Sequence, residues 1–147
     1  MIDEKTLEEF VAKQGITELI NSYLMCIEEK NFNVRDLGRF FAENVSMKFP
    51  FSKHVSSVKD VAEIYQVHLT QFDFIHHIPS GMIFRFSSSC AADIQCYLHV
   101  MYKRKASPQL LTSIELLHCS VRRNDTSNND WRISGFEIKT VFSQESQ

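Results

Sequence analysis

The sequence predicts an α+β domain, with helices gathered in its first half and a mainly antiparallel sheet in its second. Three observations carry this. Apolar residues recur with a 3.6-residue period at Ile16, Leu19, Ile20, Tyr23, Leu24 and Ile27, and again at Val58, Val61, Tyr65, His68, Leu69 and Phe72. From Ile78 onward the period changes to two, with Ile78, Ser80, Met82, Phe84 and Phe86 sharing one parity and Ile94, Cys96, Leu98 and Val100 another. The extended runs are separated by polar turns such as Asn124 to Asp130, not by crossover helices, which favours a meander over a parallel sheet.

In chain order, Thr6-Leu7-Glu8-Glu9 has a capping-box pattern and is expected to open a short helix that Gly15 ends. A second helix is expected from Ile16 to Glu29. At about 100° per residue, Glu28 falls on the edge of its apolar stripe and can border a buried space, whereas Glu29 points to water. Asn33 caps a short helix that turns Leu37, Phe40 and Phe41 inward. Asn44 to Phe49 alternates Val45, Met47 and Phe49 as a strand that Pro50 stops. Ser57 caps the helix carrying the second stripe, on which His68 reads as a packed core histidine. Strands follow at Ile78 to Phe86, Ala92 to Lys103, Leu110 to Arg123 and Trp131 to Phe142. In the last of these the inward parity slips between Trp131/Ile133 and Phe136/Ile138, which places a β-bulge at Ser134-Gly135. A long twisted sheet of this kind can curl over the helices and leave a cavity between the two layers.

The 147 residues suit one domain, residues 1–147, without linker or repeat. Twelve phenylalanines suggest a core or cavity wall built largely from rings. A net charge of −2 and the absence of a basic stripe argue against nucleic acid as a partner, and Lys103-Arg104-Lys105 reads as a solvated strand end. No apolar run reaches the roughly 18 residues of a membrane helix, and the acidic, polar Met1–Lys5 is unlike a signal peptide, so a cytoplasmic location is expected. Cys26, Cys90, Cys96 and Cys119 form no CxxC pair, and no histidine stands at zinc-finger spacing. Reduced thiols are expected, with no metal and no cofactor.

Chemistry is most concentrated in Phe72-Asp73-Phe74-Ile75-His76-His77-Ile78-Pro79-Ser80-Gly81, which holds two of the six histidines side by side. Parity from Ile78 onward places His76 with Met82, Phe84 and Phe86, and His77 with Ile83 and Arg85.

Four passages resemble the SnoaL-like branch of the NTF2-like superfamily, which includes scytalone dehydratase, bile-acid 7α-dehydratases and polyketide cyclases. They are Ile20-Asn21-Ser22-Tyr23 through Glu28 to Phe32; Phe40-Phe41-Ala42-Glu43-Asn44-Val45; His76-His77-Ile78; and Trp131-Arg132-Ile133-Ser134. The resemblance implies an α+β, cone-shaped barrel with N-terminal helices packed on a curved, mainly antiparallel sheet around one deep pocket, commonly a homodimer formed through the sheet. It implies a carboxylate–histidine dyad at Glu28 and His76, with Tyr23 and His99 assisting. Here Glu replaces the family's usual Asp, and the adjacent His77 leaves the register of the histidine open.

Such a dyad suits dehydration, cyclisation or isomerisation, because histidine exchanges protons near neutral pH and a carboxylate on its other nitrogen fixes the tautomer. Tyr23 could polarise a substrate oxygen. Phe49, Met82, Phe84 and Phe86, with His77 and Tyr97, are the expected substrate contacts, although Tyr97 and His99 share a strand face that could instead pack on a partner. The expectation is therefore a cofactor-free enzyme acting on a small hydrophobic cyclic molecule. The alternatives are a non-catalytic ligand-binding or dimerisation module, and a structural subunit resembling the β chain of ring-hydroxylating dioxygenases.

Overall fold

A computed structural model describes residues 2–144. Three helices and five strands follow one another as α1 (Glu4–Glu28), α2 (Val34–Leu37), β1 (Phe41–Lys48), α3 (Val58–His68), β2 (Phe72–Ser88), β3 (Ala91–Arg104), β4 (Leu111–Arg122) and β5 (Arg132–Ser143). The strands form one curved, unclosed sheet in the order β1-β5-β4-β3-β2, parallel between β1 and β5 and antiparallel elsewhere.

The first two expected helices are one. Asp3, not Thr6, caps it: the Thr6 N–H donates to Asp3 Oδ1 at 2.7 Å. Gly15 does not end it. The residue is needed for a close approach, because a Cβ there would lie 2.1 Å from Asn129 Nδ2. Asn129 donates to the Val11 carbonyl and accepts from Trp131 Nε1, so it ties the β4–β5 turn to the helix flank. Ala12, Ile16, Ile20, Tyr23 and Ile27 then form one buried stripe. The helix closes through Lys30, at φ 60°, whose N–H reaches the Ile27 carbonyl.

The caps at Asn33 and Ser57 form as expected, each accepting a backbone N–H three residues on. Phe41 is buried but opens β1 instead of closing a helix. Val45, Met47 and Phe49 point inward. The bulge at Ser134 is present, since Val121 pairs with Ile133 while Ser120 pairs with Gly135.

The reading of β2 needs one correction. Ser80 pairs with Tyr97 and Ile83 with Gln95, so β2 holds one extra residue there, and Gly81 sits at φ +63°. This is a glycine bulge, and it reverses which parity faces inward. Before it, Ile75 and His77 point in and His76 points out; after it, Met82, Phe84 and Phe86 point in. His76 therefore does not share a face with those three. A Cβ at Gly81 meets nothing within 4 Å, so the cost of substitution is conformational alone. Gly81→Val is expected to lower stability by about 1–2 kcal/mol, and Gly81→Asn by less, read from urea unfolding midpoints.

Candidate functional site

The concave face of the sheet and the helices enclose a cavity of about 340 Å³. Its inner wall is apolar: Leu24 and Ile27 come from α1, Leu98 and Val100 from β3, and Phe136 from β5. Phe49 and Phe51 stack on one side at 5.4 Å between centroids, and Phe51 also meets the His68 ring at 4.8 Å. Polar side chains also line it, among them His77, Tyr65, Ser113, Glu115, Gln71 and Arg104. The Arg104 guanidinium lies 5.2 Å over Phe72 and donates to the Gln71 side chain. Gln71 in turn donates to the His68 carbonyl at the end of α3.

Glu28 is the last residue of α1, and β2 is an edge strand whose outward amides have no strand partner. One carboxylate oxygen meets two donors there. Glu28 Oε1 accepts the His77 backbone N–H at 3.1 Å and His76 Nδ1 at 2.8 Å. The His76 ring is about half exposed and lies on the outer side of β2, while the Glu28 side chain is mostly covered. With Nδ1 donating to the carboxylate, Nε2 of His76 carries the lone pair.

His77 faces the cavity itself. Its Nδ1 is buried and meets no hydrogen-bond partner among the described residues. Burial, with the neighbouring His76 adding to it, pushes its pKa down from 6.5 to about 4, so the ring is neutral near pH 7. Tyr23 lies one layer behind. It is fully buried, its ring edge-on to Phe40, Phe41 and Phe136, and its hydroxyl is hydrogen-bonded to that of Tyr65. Tyr65 lines the cavity and Tyr23 does not. Burial raises the pKa of both phenols, so both remain protonated donors.

The remaining expected contacts lie elsewhere. Met82, Phe84 and Phe86 sit beyond the bulge against the N-terminal half of α1, with Phe84 under the Lys13 ammonium and Phe86 beside Trp131. Tyr97 and His99 point to the outer face of the sheet. Of the expected substrate contacts, only Phe49 and His77 line the cavity. Sequence reasoning passed over Glu115, whose burial pushes its pKa up from 4.5 to about 7. A signal was available: Ser113, Glu115, Leu117, Cys119 and Val121 share one parity, so Glu115 is an acid on an apolar face. Among the described residues no group of three or more His, Cys, Asp or Glu side chains could hold a metal ion, and no helix is long and apolar enough to cross a membrane.

No protein-family model and no curated protein sequence matches this chain. Solved structures do match, across nearly its whole length. A candidate scytalone dehydratase from Novosphingobium aromaticivorans superposes with a TM-score of 0.82 at 14% identity, covering 95% of this chain and 90% of the other. A hexachlorocyclohexane dehydrochlorinase, LinA-type3, from Novosphingobium barchaimii gives 0.80 at 10% identity, covering 94% and 92%. A candidate dehydratase of the NTF2-like family from Streptomyces avermitilis gives 0.73 at 12% identity, covering 88% and 96%. The fold is NTF2-like. It is the fold that the sequence motifs resemble, and these NTF2-like neighbours are described as dehydratases and a dehydrochlorinase.

Proposed function

We propose that this chain is a cofactor-independent lyase or isomerase that moves protons on a small, mainly apolar cyclic molecule held in the concave cavity. The observation that carries this reading is His77 in the cavity wall, with its Nδ1 buried and without a hydrogen-bond partner among the described residues. The neutral His77 imidazole accepts a proton from carbon, and Glu28, by accepting the His77 backbone N–H, fixes the stretch of β2 that carries it. The same group, once protonated, returns the proton to a leaving hydroxyl or to a neighbouring carbon. The phenol of Tyr65, backed by Tyr23, supplies a donor inside the apolar walls. Removal of water or of hydrogen chloride, the reactions that the neighbours' descriptions name, is this kind of step.

A second reading has the Glu28–His76 dyad as the base, favoured by its 2.8 Å contact, and requires the substrate to reach the outer side of β2, where His76 lies. Turnover of a cyclic β-hydroxyketone screen separates the two. If the dyad is the base, His76→Gln and Glu28→Gln each lower kcat by about 10²-fold or more while His77→Gln acts mainly on KM. If His77 is the base, the pattern reverses. Turnover unaffected by all three variants leaves a binding module, in which Glu28 serves only to clamp the sheet edge.

The partner in this reading is a second copy of the chain. The register aligns Ile78, His99, Ile114 and Phe142 in one cross-strand row on the outer face, where Ile78, Ile83, Tyr97 and Phe142 are exposed. Sedimentation equilibrium reads this directly, and a monomer mass at micromolar concentration removes it.

A further inference from the structure

Glu115 is not used by the dyad, and its position calls for an account. It lies on β4, the middle strand of the sheet, paired with Leu98 on one side and Thr140 on the other, and its side chain lines the cavity. Among the described residues no ion pair or side-chain hydrogen bond holds its carboxyl. A carboxyl that faces the cavity and is held by no protein partner among the described residues is free to bond what the cavity receives.

We infer that Glu115 is the polar anchor of the cavity, donating a hydrogen bond from its carboxyl to the carbonyl oxygen of an uncharged, mainly apolar cyclic ligand. This rests on the reading above that the cavity holds a small apolar molecule. The chemistry of the walls selects the ligand class. The titratable groups lining the cavity with Glu115 are His77 from β2, Tyr65 and His68 from α3, and Tyr102 and Arg104 from β3, while α1 offers only Leu24 and Ile27. His77 is neutral near pH 7, and the Arg104 guanidinium lies over the Phe72 ring and donates to Gln71. Burial alone accounts for the raised Glu115 pKa of about 7, so the protonated, donating form is well populated at neutral pH. A neutral carboxylic acid donates to a ketone without either partner carrying charge into the apolar interior. A ligand carboxylate would meet repulsion from the ionised fraction, and an ammonium would lose its hydration among rings.

The test uses two probes of one shape, 1-tetralone and tetralin, titrated calorimetrically against the purified full chain. At about pH 5.5 the ketone is expected to bind about tenfold more tightly than the hydrocarbon, the worth of one good hydrogen bond in a dry site. By about pH 8.5, with Glu115 ionised, the preference is expected to disappear. Glu115→Gln keeps an amide donor and should retain the preference at both pH values. Glu115→Leu should abolish it at both while still binding tetralin. A wild-type protein that binds both probes equally at the lower pH, or a leucine variant that still prefers the ketone, overturns the anchor and leaves the cavity as a binding site. Binding of neither probe overturns both.

Discussion

Glu28→Ala is expected to lower the unfolding free energy by about 2 kcal/mol, measured by urea denaturation at neutral pH. One oxygen of Glu28 holds both the His77 backbone N–H and His76 Nδ1, so the substitution removes two charge-assisted contacts. The His76 contact is half in water and is worth little by itself. The backbone contact weighs more, because that N–H lies at the edge of the sheet, where no neighbouring strand accepts it. Glu28→Gln keeps an acceptor for the amide and should cost only about 1 kcal/mol, and His76→Ala less than that. Hydrogen exchange should report the same order, with the His77 amide losing protection in the alanine variant first. A change below about 0.5 kcal/mol in Glu28→Ala would show that the strand edge is held by packing alone, and the clamp would then have no structural reason to exist.

Much of the architecture was legible because its signals are local. The caps at Asn33 and Ser57 depend on side chains within three residues of the amides they bind. The bulge at Ser134 was visible because the tryptophan and the apolar positions around it cannot all share one face without an extra residue. The failures have tertiary causes. Gly15 reads as a helix stop because nothing nearby reveals that Asn129, from the far end of the chain, needs the space its side chain would fill. Gly81 carried a usable signal, a glycine inside an alternating run, yet the alternation on either side looks continuous through it. Missing that bulge exchanged the faces of His76 and His77. Glu28 was placed beside a buried space by helical angle alone; its side chain is mostly covered, but it meets β2 through His76 and the His77 amide and does not line the cavity. Glu115 was missed because its signal is a parity, one acid in line with Ser113, Leu117, Cys119 and Val121, and not a motif.

The largest effects are expected in the pH dependence of stability, where His77 and Glu115 pull in opposite directions. The His77 pKa falls from 6.5 to about 4 on folding, so the stability it contributes is fully present above pH 6.5 and is lost as the pH falls through about 4. The Glu115 pKa rises from 4.5 to about 7, so its contribution is fully present below pH 4.5 and is lost as the pH rises through about 7. At 1.36 kcal/mol per pH unit each swing is worth about 3 kcal/mol, a large share of the 5–15 kcal/mol by which domains of this size are stable. The windows overlap almost completely, so the two slopes nearly cancel between about pH 4 and 7. Removing either group should uncover the other. Glu115→Gln is expected to lose about 3 kcal/mol of stability, relative to the wild-type curve, on going from pH 7 down to pH 4. His77→Gln is expected to lose a similar amount, about 3 kcal/mol, on going from pH 4 up to pH 7. Subtracting the wild-type curve removes the titration of every other group, and the opposite signs of the two difference curves are the signature of paired burial. Difference curves that run flat, or with the same sign, would mean that water reaches both side chains in the folded state, and the dry cavity on which the anchoring role of Glu115 depends would not exist.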